Sequence, residues 1–502
     1  MKYDIVRLIK ILAVLAVILF CLRLFSDNKA ELDLWGNVGF VSAFPWQDGF
    51  KNINTFSFTE PGRAWINHEW LSEYIFHFIF VFFGGMGLLV FKFLLGLCLV
   101  GILYLAMRRA SLSYPVIFLW LMLAISTIGY GFSTRPHLLT YLFYSMLLLI
   151  LRGHKITGHK YFFFFPIFGI LWVNLHGAFF IGAITLLLYT IFEWFDNKRF
   201  PKKEMAVTVL FILATFINPY TVRIWRYILY SASIPRPYLS EWSPFTSVNY
   251  IIEHIDFVFL SAASLAAICF SRARKDSFWL VLIFTSFIAA LAMRRNIPLF
   301  AITATFVIPQ RLEKLIGDAI RGMLKKLSKA LIAAMLFIFA VVSLLYAVTF
   351  YKTSFFRIEI PQKDFPVDVV SFMKVNDISG NALVFFDWGE YCIWKLYPKC
   401  KVFMDGRLCC AYSVKTINDY FGFLYLEKDW ENALKNYPTD IVLIHKGNPV
   451  YAKMLNMPGW EYIYEGRIAG LFVKTAGQEQ FFSKIKKGLI KYPDIKTCEY
   501  FP

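Results

Sequence analysis

Long apolar runs dominate the first 350 residues, broken by short polar turns rather than by polar faces. Runs of roughly 18 or more apolar residues recur between Ile9 and Phe350, the length a helix needs to cross a hydrocarbon core. The first run, 9–25, follows Lys2 and Arg7 and includes Lys10. It resembles a signal peptide but lacks a small-residue cleavage site, and more apolar segments follow, so it reads as an uncleaved first helix. The segment 70–83 is apolar and aromatic but short, and it ends at Gly84-Gly85. It reads as an interfacial or re-entrant helix rather than a span. Further spans are predicted at about 86–107, 114–131, 138–151, 161–174, 178–194, 205–218, 255–270, 277–293, 297–309 and 330–350, about 11 in all.

From about Lys363 the pattern changes to short alternating elements. Strands are predicted at 382–386, 401–404 and 441–445, helices at 391–397 and 414–436, and a hairpin over 460–474,. The fold class that follows is an all-α polytopic membrane domain of about 11 spans, then a small extracytoplasmic α/β domain. The boundaries are 1–352 for the membrane domain with its external loop 27–85, 353–476 for the α/β domain, and 477–502 for a basic, partly helical tail.

Composition agrees: 58% of the 502 residues are hydrophobic and only 17% charged, too apolar for a soluble protein of this size. The net charge of +18 does not point to nucleic acid. The Lys and Arg fall mostly in short loops or near the C-terminus, with no basic–aromatic track for a nucleic-acid strand. Topogenic charge accounts for the excess. Lys2, Arg7 and Lys10 place the N-terminus in the cytoplasm of a plasma (inner) membrane protein. Arg108 and Arg109, Arg152, Lys155 and Lys160, Lys198 to Lys203, Arg272 to Lys275 and Arg311 to Lys329 then stay inside. The last span exports the C-terminal domain. Cys21, Cys98 and Cys269 lie in apolar helices as core fillers. Cys392, Cys400, Cys409, Cys410 and Cys498 fit no zinc spacing, and an extracytoplasmic location permits a disulfide such as Cys392 to Cys400.

This sidedness gathers the unusual polar residues on one face. The first helix delivers the loop 33–71, with Asp33, Asp48, His68 and Glu69, to the outside. The turns Arg135-Pro136-His137, Asn174-Leu175-His176, Asn218-Pro219-Tyr220, Glu241-Trp242 and Arg294-Arg295 fall on the same side. Arg294 and Arg295 sit against the charge rule. Cations placed so indicate an anionic ligand; the alternative is a pair of arginines snorkelling to head groups.

Stretches along the chain resemble a widespread bacterial family of polytopic membrane proteins. They are DLW at 33–35, FSFTEPGRAWINHEWL at 56–71, RPH at 135–137, NLHG at 174–177, NPY at 218–220, EWSP at 241–244, RRNIPLF at 294–300 and DWGEYCIWKLYPKCKVFMDGR at 387–407. That family is similar to the GT-C superfamily of glycosyltransferases, which includes the protein O-mannosyltransferases and the lipid A aminoarabinose transferases. The resemblance implies a transferase using a polyprenyl-phosphate-linked sugar, with a catalytic carboxylate in the first external loop at Asp33. Two departures stand out: Gly36-Asn37 replaces the family's Trp-His, and Asn54-Thr55 replaces its Asp-Pro. Both remove groups able to assist a metal or a proton transfer.

Such chemistry needs a base for the acceptor hydroxyl, cations for the departing lipid phosphate, and an apolar groove for the prenyl chain. Asp33 is the candidate base, with loop ordering or helix capping as its alternative. Glu69 is a second catalytic or acceptor-orienting candidate, with the helix dipole as its alternative. Arg294, Arg295 and Arg135 are the phosphate candidates. His137 and His176 could bind phosphate or acceptor, although helix packing is the commoner role for a lone His. Glu241 could contact the acceptor. No metal site or other cofactor is assigned, because His68, Glu69 and His176 lack a ligand spacing. Asp405-Gly406-Arg407, at a strand's carboxyl end, is read chiefly as a structural ion pair, and Asp387 as a helix cap. The expected function is an inverting membrane glycosyltransferase acting on a lipid, glycan or protein acceptor at the outer face. A flippase for lipid-linked glycans and a non-catalytic scaffold are the alternatives; the gathering of charges at one face, rather than along a path, disfavours the flippase.

Overall fold

The computed structural model describes residues 2–25, 27–43, 53–236, 238–271, 276–351, 356–494 and 499–502. Asp48, Arg272, Arg274, Lys275 and Cys498 lie outside the described residues. The chain divides into two compact units. One comprises Met1–Asp27, Gly87–Val222 and Ala232–Phe355, and the other Asn28–Met86, Arg223–Ser231 and Phe356–Pro502.

The first unit is helical. Among the described residues, four helices are long and apolar enough to cross a membrane, namely Ile5–Phe25, Trp70–Arg109, Gly177–Asn197 and Lys329–Tyr346, by length and composition. Shorter apolar helices are Tyr114–Gly129, Phe164–Leu175, Ile255–Phe270 and Ser277–Ala292. The predicted segments 138–151, 205–218 and 297–309 coincide with His137–Thr157, Lys202–Ala214 and Ile297–Val307. Ile297–Val307 is buried along almost its whole length and packs against Ser277–Ala292, Tyr114–Gly129 and His137–Thr157. Lone hydroxyls tie it to its neighbours: Trp120 Nε1 donates to Thr305 Oγ1 (3.0 Å), and the Tyr144 and Thr303 hydroxyls meet at 2.9 Å. Interhelical polar contacts of this kind hold helices together where packing gains no hydrophobic term. Outward positions are apolar instead; Phe259, Leu265 and Phe284 are each more than 60% exposed (61%, 64% and 64%). The first and last long helices, Lys2–Phe25 and Lys329–Tyr351, pack along each other. The basic stretch after 309 forms the helix Pro309–Lys326, because Leu312, Ile316 and Met323 recur on one face of it.

The second unit is built on a five-stranded sheet. The strands of this unit, among the described residues, are β1 (Glu359–Ile360), β2 (Gly380–Val384), β3 (Cys400–Val402), β4 (Ile441–His445), β5 (Trp460–Glu465), β6 (Ala469–Lys474) and β7 (Glu499–Tyr500), of which β1 and β7 form a separate pair. The sheet order is β3-β2-β4-β6-β5, with β2 parallel to β3 and β4, and β6 antiparallel to β4 and β5. The central strand β4 reads Ile-Val-Leu-Ile-His, and its four apolar residues are buried, as a strand covered on both faces demands. The predicted 460–474 hairpin is β5–β6.

Three features of this unit were not foreseen. The loop after the first helix is part of it: Val402 N donates to Phe56 O (3.0 Å) and Phe58 N to Val402 O (3.3 Å), so residues 56–58 run along the free edge of β3. Cutting the chain at 352/353 therefore separates residues that the contacts join. The predicted 414–436 helix ends at Tyr425, where Leu426 turns left-handed, and Asn432–Lys435 is separate. The C-terminal tail is tied in by β7, which pairs with β1, and by Phe501, whose ring lies 5.1 Å from that of Trp35. Cys392 and Cys400 are both buried free thiols. The helix that starts at Trp70 breaks at Gly84 (φ 61°), the point where the sequence ended its short segment.

Candidate functional site

In the second unit, Asp33 precedes the short helix Leu34–Gly39, which packs on the helix Gly389–Leu396. Asp33 occupies the N-cap position, yet its carboxylate makes no capping hydrogen bond. What it faces is carboxylate chemistry. A side chain added at Gly406 would meet Glu390 Oε1 at 2.7 Å and Asp33 Oδ1 at 3.5 Å, so both carboxyls border the same glycine. Glu390 Oε2 accepts from Gly36 N at 3.0 Å. A Cβ at Gly36 would lie 2.3 Å from that oxygen. Gly36, where the resembling family has Trp, is thus the residue that lets a buried carboxyl reach the backbone.

Burial pushes the Glu390 carboxyl well above the ordinary range, and the negative charges of Asp33 and Asp405 add to it,. Glu390 thus holds its proton more tightly than an exposed carboxyl does. Asp405 goes the other way. Burial alone would raise it, but Arg407 and the Tyr412 hydroxyl outweigh that and hold it low. Arg407 clasps Asp405 through Nε (2.8 Å) and Nη2 (2.7 Å), and Tyr412 donates to Asp405 Oδ2 at 2.6 Å. Arg407 Nη2 also donates to Asn54 Oδ1 at 3.0 Å. The guanidinium sits against the rings of Trp65 (4.7 Å), Phe40 (5.0 Å) and Phe56 (5.1 Å). The turn 405–407 is the ion pair that the sequence indicated, with Asp405 0% and Arg407 4% exposed at the side chain. Asn54 thus supplies Arg407 with a neutral oxygen. Among the described residues, Arg407 Nη1 and Asn37 Nδ2 are buried donors without an acceptor; buried donors normally have one.

Glu69 directs Oε1 to His68 Nε2 at 3.5 Å. His68 Nδ1 in turn lies 3.7 Å from Cys410 Sγ, which is 2.6 Å from the Tyr227 hydroxyl. Glu390 and Tyr412 were missed in the sequence. A signal for Glu390 was available: it is the one carboxylate in the apolar stretch Gly389-Glu390-Tyr391-Cys392-Ile393.

The remaining candidates belong to the first unit, where Arg135, Glu241 and Arg295 come together. Arg135 Nη1 lies 3.3 Å from Glu241 Oε2, and Arg295 Nη1 lies 3.9 Å from Oε1. Partial burial pushes the Glu241 carboxyl up, but Arg135, Arg295 and His137 outweigh it and leave it lowered. Arg295 also covers the Trp242 ring at 4.5 Å. Arg294 is placed differently. It is 4% exposed, donates through Nε to Ser240 O (3.2 Å), and stacks on Tyr250 at 3.6 Å. Its side chain pins the 240–253 segment, whereas Arg295 keeps a third of its surface (33%) exposed. His137 Nε2 donates to Gly131 O (2.6 Å). His176 Nδ1 accepts from Ala178 N (3.2 Å) and from the Thr140 hydroxyl (2.8 Å), so its ring caps the turn Gly177–Phe179. Asn174 Nδ2 ties its own helix to Ile217 O at 2.9 Å.

No family model matches the chain, and no curated protein matches it in sequence. Among solved structures, the chain is similar to the archaeal oligosaccharyltransferase AglB from Archaeoglobus fulgidus, determined in complex with an inhibitory peptide and a dolichol-phosphate. The TM-score is 0.57 at 13% identity, over 88% of this chain and 69% of AglB. The likeness shows that the two proteins share a fold. Together with the apolar helices it identifies an integral membrane protein.

Proposed function

We propose that the chain is a GT-C-type glycosyltransferase. It moves a sugar from a polyprenyl-phosphate-linked donor to a lipid, glycan or protein acceptor on the extracytoplasmic face of the plasma membrane. The N-terminus is cytoplasmic and the α/β domain extracytoplasmic. The observation that carries the reading is the meeting of two carboxyls, Asp33 and Glu390, at Gly406. Burial, with the charges of Asp33 and Asp405, raises the Glu390 carboxyl well above the ordinary range, and Asp33 borders the same glycine. A carboxyl whose proton affinity is raised by its surroundings, set beside a second carboxyl, suits acid–base chemistry.

In the transfer, an acceptor oxygen attacks the anomeric carbon, the bond to the phosphate oxygen breaks, and the configuration inverts. The acceptor's proton passes to Asp33. In the first unit, Arg135 and Arg295 flank the Glu241 carboxylate, and guanidinium groups of this kind suit the phosphate of a lipid-linked donor. No nucleotide or other resident cofactor is assigned to the step.

The test is a lipid-extract assay with labelled polyprenyl-phosphate sugars. Asp33→Asn is expected to abolish transfer while the protein still folds and inserts. Unchanged product formation by that variant would remove the assignment. Movement of the lipid without chemistry would favour a flippase, and neither activity a scaffold.

A further inference from the structure

The first unit holds a second cluster of ligating side chains, apart from those at the candidate site. His154 comes from the last turns of the helix His137–Thr157, His159 from the turn that follows it, and Glu204 from the first turn of Lys202–Ala214. Their ligating atoms all lie within 4.8 Å of one another. His159 Nε2 is 2.7 Å and His154 Nε2 is 3.7 Å from the same oxygen, Glu204 Oε1. Glu204 is 9% exposed. We propose that His154, His159 and Glu204 form a metal site for a borderline divalent transition ion, with Zn²⁺ the best fit, and a water as fourth ligand.

Three observations carry the assignment beyond an ordinary ion pair. Two imidazoles are aimed through Nε2 at one carboxylate oxygen, whereas a single partner suffices to balance Glu204. Donors in a tetrahedral zinc site, with bonds of about 2.0–2.1 Å, stand roughly 3.3 Å apart. The two measured separations, 2.7 and 3.7 Å, straddle that value, so small ring rotations reach it. His154 Nδ1 also lies 2.5 Å from the Tyr189 hydroxyl. An N–H donated there fixes the tautomer that leaves Nε2 for the metal, the usual outer-shell support of a ligating imidazole. The buried Phe162 packs against both rings, at 4.8 Å from His154 and 4.9 Å from His159. Two nitrogen donors against one carboxylate select against calcium and magnesium, which take oxygen ligands. Once loaded, the site fastens the turn 158–163 to the Lys202–Ala214 helix.

The experiment uses the untagged full-length protein in detergent, stripped with chelator and titrated with Zn²⁺. One equivalent should bind per chain and raise the thermal midpoint. Cobalt, substituted for zinc, should give visible bands of nitrogen–oxygen ligation. His159→Ala and Glu204→Gln should weaken binding at least about 100-fold, and Tyr189→Phe about 10- to 100-fold, the range for outer-shell losses. Absence of a stoichiometric wild-type site, or wild-type affinity in Glu204→Gln, overturns the proposal. If the ligand variants fail to fold, Tyr189→Phe decides: unaltered zinc affinity and cobalt spectrum there would equally overturn it. None of these readouts depends on glycosyl transfer.

Discussion

Consider Arg407→Met. The substitution keeps most of the side-chain volume but removes the charge that Asp405 depends on. Asp405 is 0% exposed, and Arg407 reaches it with two side-chain hydrogen bonds at 2.7 and 2.8 Å. Only Tyr412 and the Arg407 backbone N–H would remain on the carboxylate. Removing one partner of a buried pair costs about 3–5 kcal/mol, because the other charge is left uncompensated. At about 1.4 kcal/mol per decade, opening of the second unit should become roughly two to nearly four decades more frequent. The unit carries its own reporters. Cys392 and Cys400 are buried, and burial pushes the Cys400 thiol up to about 11, so both label slowly until the unit opens. Peptide-resolved thiol labelling in mild denaturant measures that opening when reclosure outpaces labelling. The double variant Asp405→Asn/Arg407→Met should recover most of the loss, since replacing a whole buried pair is often close to neutral. Labelling of Arg407→Met within tenfold of wild type, or a double variant no better than the single, would refute the reasoning.

Other expectations follow from the same geometry. Gly36→Ala places a methyl 2.3 Å from Glu390 Oε2 and 2.5 Å from the Phe40 ring; overpacking of this kind costs about 1–3 kcal/mol, read as a lower thermal midpoint. Glu390 has a raised folded pKa, so the unfolded chain loses that proton first as pH rises,. Stability should therefore decline above the ordinary Glu pKa of about 4.3, and Glu390→Gln should flatten that decline in thermal midpoints. Arg295→Ala should raise KM for the lipid donor with little change in folding. Arg294→Ala, which removes the clamp on Ser240 O and Tyr250, should instead lower the thermal midpoint of the membrane unit; the reverse pattern would reassign the two arginines.

The helices and the sheet were readable because their signals are local. Apolar run length marks the helices, and the unbroken Ile-Val-Leu-Ile of β4 marks a covered strand. The Asp405–Arg407 pair was readable for the same reason, the two residues being neighbours on one turn. What stayed hidden was long-range. Glu390 is 354 residues from Gly36, and Asn54 is 353 from Arg407; no periodicity connects them. Glu204 and His159 are 45 apart and lie on different elements, so a search for ligand spacing passes over them. Arg294 and Arg295 share one sequence argument, and only their surroundings separate a buried clamp from an exposed cation.

The strip of chain laid along the edge of β3 has a consequence for how the protein is made. Ser57 bonds the carbonyl oxygen of Phe403, a partner 346 residues downstream. At about 5–20 residues per second, the ribosome delivers that partner roughly 20–70 s later. For that interval, residues 53–65 have no sheet to join, and their aromatic side chains stay open to proteases and to chaperones. Loss of a holdase during synthesis should therefore damage this segment first, before any defect shows in the finished protein.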